Sequence, residues 1–395
     1  MSGSSMFVPP RRLRRGVALT LVLGSVLVTG GVSGGWLDEG PRERPSARTD
    51  AVADTAGDGS GETALAEAAA AAMAAGESGT DAAEEVVSRS GDRWSAVYSA
   101  GEYEGLRQSL DGWYVGVGIW VRHDAGGRIE VARALPGSPA DRAGIRPGDR
   151  LRAVDGEKTG GQPVTEVVSL LRGDDRGAEA GSTVELDLQR GDRRWRETLV
   201  RRRLATESVT SRTAADGTTL IEVGSFTKGS GEEVVRAVRK ARDGAGVLLD
   251  LRGNPGGLVA EAVTAASAFL DGGLVATYDV HGEQRALHAE EGGAAEGLPL
   301  VVLVDGGTMS SAELLAGALQ DRGRAVVVGT ETFGKGSVQM PEELPDGSVA
   351  ELTVGHYRTP SGRTVDGEGI TPDLVAREGV EGRARTVLTG LAGGS

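Results

Sequence analysis

The sequence predicts an α/β protein: a mixed-sheet core carrying an inserted β-rich module and preceded by a helical segment. Two observations predict it. After Leu204, near-continuous apolar runs such as GVLLDLRG and LPLVVLVDGG alternate with amphipathic stretches such as GEEVVRAVRKARDG and SAELLAGALQDRG, the pattern of a sheet covered on both faces. Ahead of that core, residues 112–203 read as short alternating strands punctuated by Gly and Pro turns. At 395 residues the chain exceeds one ordinary core, so two or three domains are expected.

The elements follow in order. Arg11, Arg12, Arg14 and Arg15 precede an uncharged run from Gly16 to Trp36. As a helix rising about 1.5 Å per residue, that run just crosses a hydrocarbon core of about 30 Å, and the basic residues hold its leading end in the cytoplasm. Residues 1–36 are therefore either a signal-anchor, leaving the remainder outside the cytoplasm at the cell membrane, or a cleaved signal peptide that releases a secreted protein. The anchor is preferred, because no clean A-x-A cleavage site stands where the apolar run ends. Residues 37–61 are polar, dotted with Pro and Gly, and read as a flexible linker. Residues 62–111 are alanine-rich and helical, a packing arm or a homodimer arm. The module occupies 112–203, the core 204–382, and residues 383–395 read as a frayed C-terminal tail.

Within the module, GWYVGVGIWV places two glycines before a strand, and SPADRAGIRPGD gives a short helix closed by Gly144 and a Pro147-Gly148 turn. A strand ending at Asp155-Gly156, an amphipathic helix stopped at Gly173 and a hairpin around Arg190-Gly191-Asp192 complete it. This order resembles a PDZ domain. Its loop, Gly116, Val117, Gly118 and Ile119, can converge backbone N–H groups on a terminal carboxylate, and the strand that follows can take a peptide as an added edge strand.

Composition narrows the chemistry. A formal charge of −14 and a pI near 5.0 argue against nucleic acid as a partner, since phosphate contacts need a basic face. The absence of cysteine removes thiol nucleophiles, disulfides and cysteine-rich zinc sites. The four histidines show no metalloprotease spacing, so neither a metal nor another cofactor is implied. Gly329 to Lys335 matches G-x-x-x-x-G-K, yet Gly336 stands where a phosphate loop needs its magnesium-binding hydroxyl, and a β-like run follows instead of a helix.

What remains is a serine and a lysine. Ser310, with Glu313 three positions on and an apolar helix after it, fits a capping box. A serine at a strand-to-helix turn is also where a nucleophile gains from unpaired helix N–H groups. Lys335 lies between glycines in FGKGSVQ; enclosed in an apolar pocket, such an amine is pushed toward its neutral form and can act as a base. Gln339, four positions on in an extended run, falls on the same face and could hold the lysine. In DLRGNPGG, backbone N–H groups could supply one oxyanion donor, and the amide of Ser311 the other.

From about Asp92 to Asp373 the chain resembles the bacterial C-terminal processing peptidases, or tail-specific proteases. The resemblance rests on DRWSAVYSAGEYEGLRQSLDGWYVGVG, DLRGNPGG, GTMSSAELLAGALQDRGRAVVVG, TFGKGSVQ and LPDGSVAELTVGHYRTPSGRTVDGEGITPD taken together. It implies a serine endopeptidase with Ser310 as nucleophile, Lys335 as general base at the family's spacing of 25 positions, and Gln339 as the lysine's partner. It also implies an oxyanion hole of Gly256 or Gly257 with the Ser311 amide, and a PDZ domain that captures protein substrates by their free C-termini. Family members usually read G-S-A-S-A-S-E where this chain reads GTMSSAE, which puts Ser311 beside Ser310 as a second candidate; the spacing to Glu313 and Lys335 favours Ser310. The competing reading is an inactive PDZ adaptor that binds tails without turnover.

Overall fold

The computed structural model describes residues 60–393 apart from 125, 174–178, 242–244, 281–282 and 293–296. The expected anchor or leader at 1–36, and all but the end of the linker, lie outside the described residues. Among the described residues, no helix is long and apolar enough to cross a membrane.

Helices α1 (Ser60–Ala74) and α2 (Gly79–Ser90) open the described chain. The Ser78 hydroxyl caps α2 by accepting the Asp81 N–H, and Gly91, left-handed at φ 75°, ends it. Their apolar faces, Leu65, Ala69, Ala83 and Val87, cluster with Leu344 and Ala350 of the same chain. The segment is thus a packing arm. Strand β1 (Ala96–Tyr98) and α3 (Ala100–Leu110) follow, the latter opened by a Ser99–Glu102 capping box.

The module begins with β2 (Trp113–Gly116), β3 (Ile119–His123), β4 (Ile129–Ala134), α4 (Pro139–Arg142), β5 (Arg150–Val154) and β6 (Glu157–Lys158). It continues with α5 (Val164–Arg172), β7 (Thr183–Arg190), β8 (Arg193–Val200) and β9 (Arg202–Ala205). Its sheet runs β3-β4-β5-β7-β8, with β6 on β5, so β3 is an edge strand. Alternate residues Val184, Leu186 and Leu188 of β7 point into the module's own core, as a period of two requires. Strand β2 pairs antiparallel with β9 from Trp113↔Ala205 to Gly116↔Arg202, so the insertion leaves and re-enters the core side by side.

The core comprises β10 (Val209–Thr213), β11 (Thr218–Val223), α6 (Ser230–Ala241), β12 (Gly246–Asp250), α7 (Val259–Ser267), β13 (Leu274–Val280), β14 (Glu283–His288) and β15 (Leu300–Val304). Then come α8 (Ser311–Asp321), β16 (Val326–Gly329), β17 (Ser337–Glu343), β18 (Val349–Arg358), β19 (Leu374–Val375) and α9 (Val380–Gly393). The main sheet runs β10-β11-β12-β15-β16-β19, parallel except where β10 meets β11. Val247, Leu249, Leu300 and Val302 face α6, α7 and α8, whereas Leu248, Val301 and Leu303 face the opposite side. The second sheet runs β1-β18-β13-β14, with β17 paired on β18.

That opposite side corrects one expectation. Residues 383–395 read as a frayed tail, yet α9 buries Ala384 and Leu388 against Leu248, Val301 and Leu303, and so closes the second face of the sheet. A few apolar residues diluted by Gly, Arg and Thr concealed that face. Leu388, 2% exposed, should cost about 2–5 kcal/mol on truncation to Ala, read as a lower urea midpoint with unchanged slope; a frayed tail would give almost no change.

Candidate functional site

Three loops leave the carboxyl ends of parallel neighbours β12, β15 and β16 and meet, the usual place for a site in an open α/β sheet. Asp305 joins the first two loops, accepting the N–H groups of Gly253 at 2.8 Å and Gly307 at 2.9 Å through one oxygen. Thr308, fully buried, donates its hydroxyl to the Leu251 carbonyl at 2.8 Å, and its own carbonyl accepts the Phe333 N–H from the third loop at 3.0 Å. Met309 N–H donates to the Asn254 carbonyl at 2.9 Å.

These ties deliver Ser310 to the start of α8 in an unusual backbone state, φ 53° and ψ −121°. For a residue with a Cβ this region costs on the order of 1–3 kcal/mol and persists only where surroundings impose it. The turn lifts Ser310 to partial exposure. Ser311, in contrast, is sealed at 0% exposure inside the helix. Of the two adjacent serines, only Ser310 can be reached by a substrate.

Glu313 does more than cap. Its buried carboxylate accepts the Ser310 N–H at 2.9 Å, the Lys335 N–H at 2.9 Å, the Gly334 N–H at 2.7 Å and the Thr332 hydroxyl. Burial pushes this carboxyl above the usual range, and the four donated bonds oppose that push. One side chain therefore fixes the backbone of both Ser310 and Lys335.

Lys335 is partly buried, with Nζ 5.4 Å from the centre of the Trp94 ring. Burial holds its pKa below the ordinary lysine value, while Glu351 and Asp92 pull the other way. Trp94 is fixed in turn: its ring leans on Phe333 at 5.7 Å and its indole N–H donates to Asp366 at 3.2 Å. No hydrogen bond joins Lys335 Nζ to Ser310 Oγ, so the two are brought together through their backbones.

Two expectations need adjustment. The Gln339 amide donates to Ser337 Oγ at 3.0 Å and lies 3.5 Å from the Trp94 carbonyl, and no hydrogen bond links it to Lys335. Strand β17 starts only at Ser337, and a register shift falls between Val338 and Gln339, so the period-two alignment of positions 335 and 339 does not hold. In the facing turn, the Gly256 N–H donates to Asn254 Oδ1 at 2.8 Å, which removes it as an oxyanion donor. The N–H groups of Gly257 and Ser311 have no partner among the described residues and remain suited to that task. Gly256 serves by its missing side chain: a Cβ there would lie 2.9 Å from Ser310 Cβ.

In the module, the carbonyls of Val117 and Gly118 are occupied by the N–H groups of Ala140 at 3.0 Å and Leu135 at 2.9 Å. The N–H groups of Val117 and Gly118 have no partner among the described residues, as anion capture requires. A cleft opens over this loop, lined by Gly116, Val117, Gly118 and Ile119 on one side and Val168, Leu171 and Arg172 of α5 on the other. Gly118, at φ 78°, tolerates no side chain, because a Cβ would lie 2.3 Å from Ser138 Cβ.

Sequence reading missed Trp94 and Tyr357. Trp94 sits in the stretch before the module and reaches the site only because β1 pairs with β18. Tyr357, on β18, places its hydroxyl 2.7 Å from the Ser310 carbonyl oxygen and 2.6 Å from that of Lys335. No local spacing announces either.

Comparison with known proteins agrees with this architecture. Residues 217–376 match the model of peptidase family S41, and residues 130–190 match that of a PDZ domain. The chain is 35% identical over 314 residues to carboxyl-terminal-processing peptidase 3, chloroplastic, of Arabidopsis thaliana, covering 75% of this chain and 60% of that protein. It is 32% identical over 297 residues to the carboxy-terminal-processing protease of Bartonella bacilliformis, covering 73% of this chain and 67% of that protein. Among solved structures, a photosystem II D1 C-terminal processing protease is similar at a TM-score of 0.50 and 29% identity, covering 80% of this chain and 87% of that one. Fold and family matches together define a class of α/β peptidase-like proteins with an inserted PDZ domain. The chain belongs to peptidase family S41. It spans about three fifths of the length of the first curated relatives it matches.

Proposed function

We propose that this protein is a serine endopeptidase that recognises unstructured protein C-termini through its PDZ domain and cleaves near them with a Ser310–Lys335 pair. The observation that carries the reading is the strained, partly exposed Ser310, held through Glu313 beside a lysine that burial drives toward its neutral form. Ser310 Oγ adds to the scissile carbonyl as Lys335 takes its proton; the N–H groups of Gly257 and Ser311 receive the oxyanion; Lys335 then passes the proton to the leaving amine. Water hydrolyses the acyl-enzyme. Gln339 steadies the Lys335 side of the pocket through Ser337 and Trp94. No cofactor enters the scheme. The tail carboxylate meets the Val117–Ile119 loop, and the peptide extends along the open edge of β3. The basic-then-apolar run from Arg11 to Trp36 supports placement of the catalytic part outside the cytoplasm.

Ser310→Ala should abolish cleavage of a protein with an unstructured tail while leaving tail binding intact. Mass spectrometry of products from free and amidated tails checks the second element: the free tail should be cut faster. Undiminished cleavage by Ser310→Ala would sink the mechanism, equal cutting of both tails would sink carboxylate capture, and binding without turnover by the wild type would leave an adaptor.

A further inference from the structure

The phenol of Tyr357 reaches both halves of the candidate site at once. Its ring is buried, 2% exposed, and its hydroxyl oxygen lies 2.7 Å from the Ser310 carbonyl oxygen and 2.6 Å from the Lys335 carbonyl oxygen. Both are hydrogen-bond distances, yet a phenol has one proton to give. The two carbonyls therefore share that one phenolic proton, the Ser310 carbonyl also accepting the Leu314 N–H of its own helix at 3.0 Å. The strand beneath it is anchored, because Tyr357 N–H donates to the Gly336 carbonyl at 2.9 Å and Tyr357 pairs with Tyr278 of β13. On the other side, Glu313 collects the N–H groups of the same two residues. Ser310 and Lys335 are thus joined by their N–H groups to one carboxylate and by their C=O groups to one hydroxyl, with no direct bond between their side chains.

We propose that Tyr357 is a positioning residue for the Ser310–Lys335 pair, its one proton shared between the two backbone carbonyls so that the base stays enclosed and within reach of the nucleophile. The assignment rests on the peptidase reading above. Such a tie has to survive the alkaline range in which a lysine gives up its proton. Burial, with Glu313 and Asp366 nearby, holds the phenol well above the usual tyrosine range, so it stays a donor there. The charged groups that face Lys335 itself are Glu351 and Asp92.

Tyr357→Phe in the full chain keeps the ring and removes only the hydroxyl. Per active site, counted with a fluorophosphonate that labels Ser310, kcat should fall about 10–100-fold with KM unchanged. The acid limb of the kcat–pH profile should move to higher pH, because a loosened Lys335 gains water and recovers its proton affinity. A purely structural tyrosine would lower the melting temperature and leave both the titrated kcat and the acid limb at wild-type values; that result overturns the proposal. Tyr357→3,5-difluorotyrosine offers a second reading should the phenylalanine variant not fold. It keeps the hydroxyl but makes it more acidic, so activity should decline at lower pH on the alkaline side, and an unmoved alkaline limb counts against the shared proton. The parent reading fails separately, if Ser310→Ala retains cleavage.

Discussion

Lys335→Met is expected to reduce kcat for tailed substrates by about 10²–10⁴-fold, the usual contribution of a general base, with little change in KM. Methionine fills the volume of the lysine stem beside Trp94 and removes only the amine, so the loss reports chemistry and not packing. Protonation gives an independent check. A base must be neutral to act, so the wild-type rate should rise with pH through the Lys335 pKa, at a pH below that of an ordinary lysine because burial lowers it. Glu351 draws that pKa upward as a negative charge. Glu351→Gln deletes the pull, and the acid limb should therefore shift to lower pH. A limb that stays put in Glu351→Gln, or that persists in Lys335→Met, would show that another group titrates.

Glu313→Gln, though conservative, should be strongly damaging. The wild-type carboxylate accepts from four donors, three of them backbone N–H groups that cannot reverse direction. A carboxamide keeps one accepting oxygen and turns an NH₂ toward the other two donors. Each orphaned buried donor costs about 1–3 kcal/mol, so a loss of about 2–6 kcal/mol in unfolding free energy is expected for two. Because two of those donors belong to Ser310 and Lys335, the folded fraction should also lose about 10²-fold in kcat through misplacement of the pair. Thr332→Val removes the hydroxyl donor, and with it the acceptor of the Ile370 N–H at 2.7 Å, but leaves the Ser310 and Lys335 N–H groups on Glu313; a kcat loss in Glu313→Gln no larger than in Thr332→Val would refute the four-way role.

The sheet was legible because burial on both faces writes itself into composition: a strand such as LVVLV admits no polar residue on either side. The module was legible for a different reason, its turns being marked by glycines that adopt left-handed φ, such as Gly118, Gly144 and Gly173. Lys335 stood out because the glycines on either side let backbone approach closely, and Ser310 because it opens an apolar helix at a strand-to-helix turn. What eluded sequence reasoning depends on pairings distant along the chain. Glu313 looks like an ordinary capping residue until the third loop folds back on it, and Tyr357 and Trp94 are placed by β18, whose partners β1 and β13 lie far away in sequence. Gln339 misled for the opposite reason: a local rule was applied across a bulge that only the β18 partner reveals.

The ribbon of β2 and β9 has a corollary. A domain whose two ends depart from its host as neighbouring strands closes almost no loop by being present, so exchanging or deleting it adds little chain-entropy cost to folding the remainder. The inserted PDZ domain can then be exchanged for another without unravelling its host, at a seam that is already sewn.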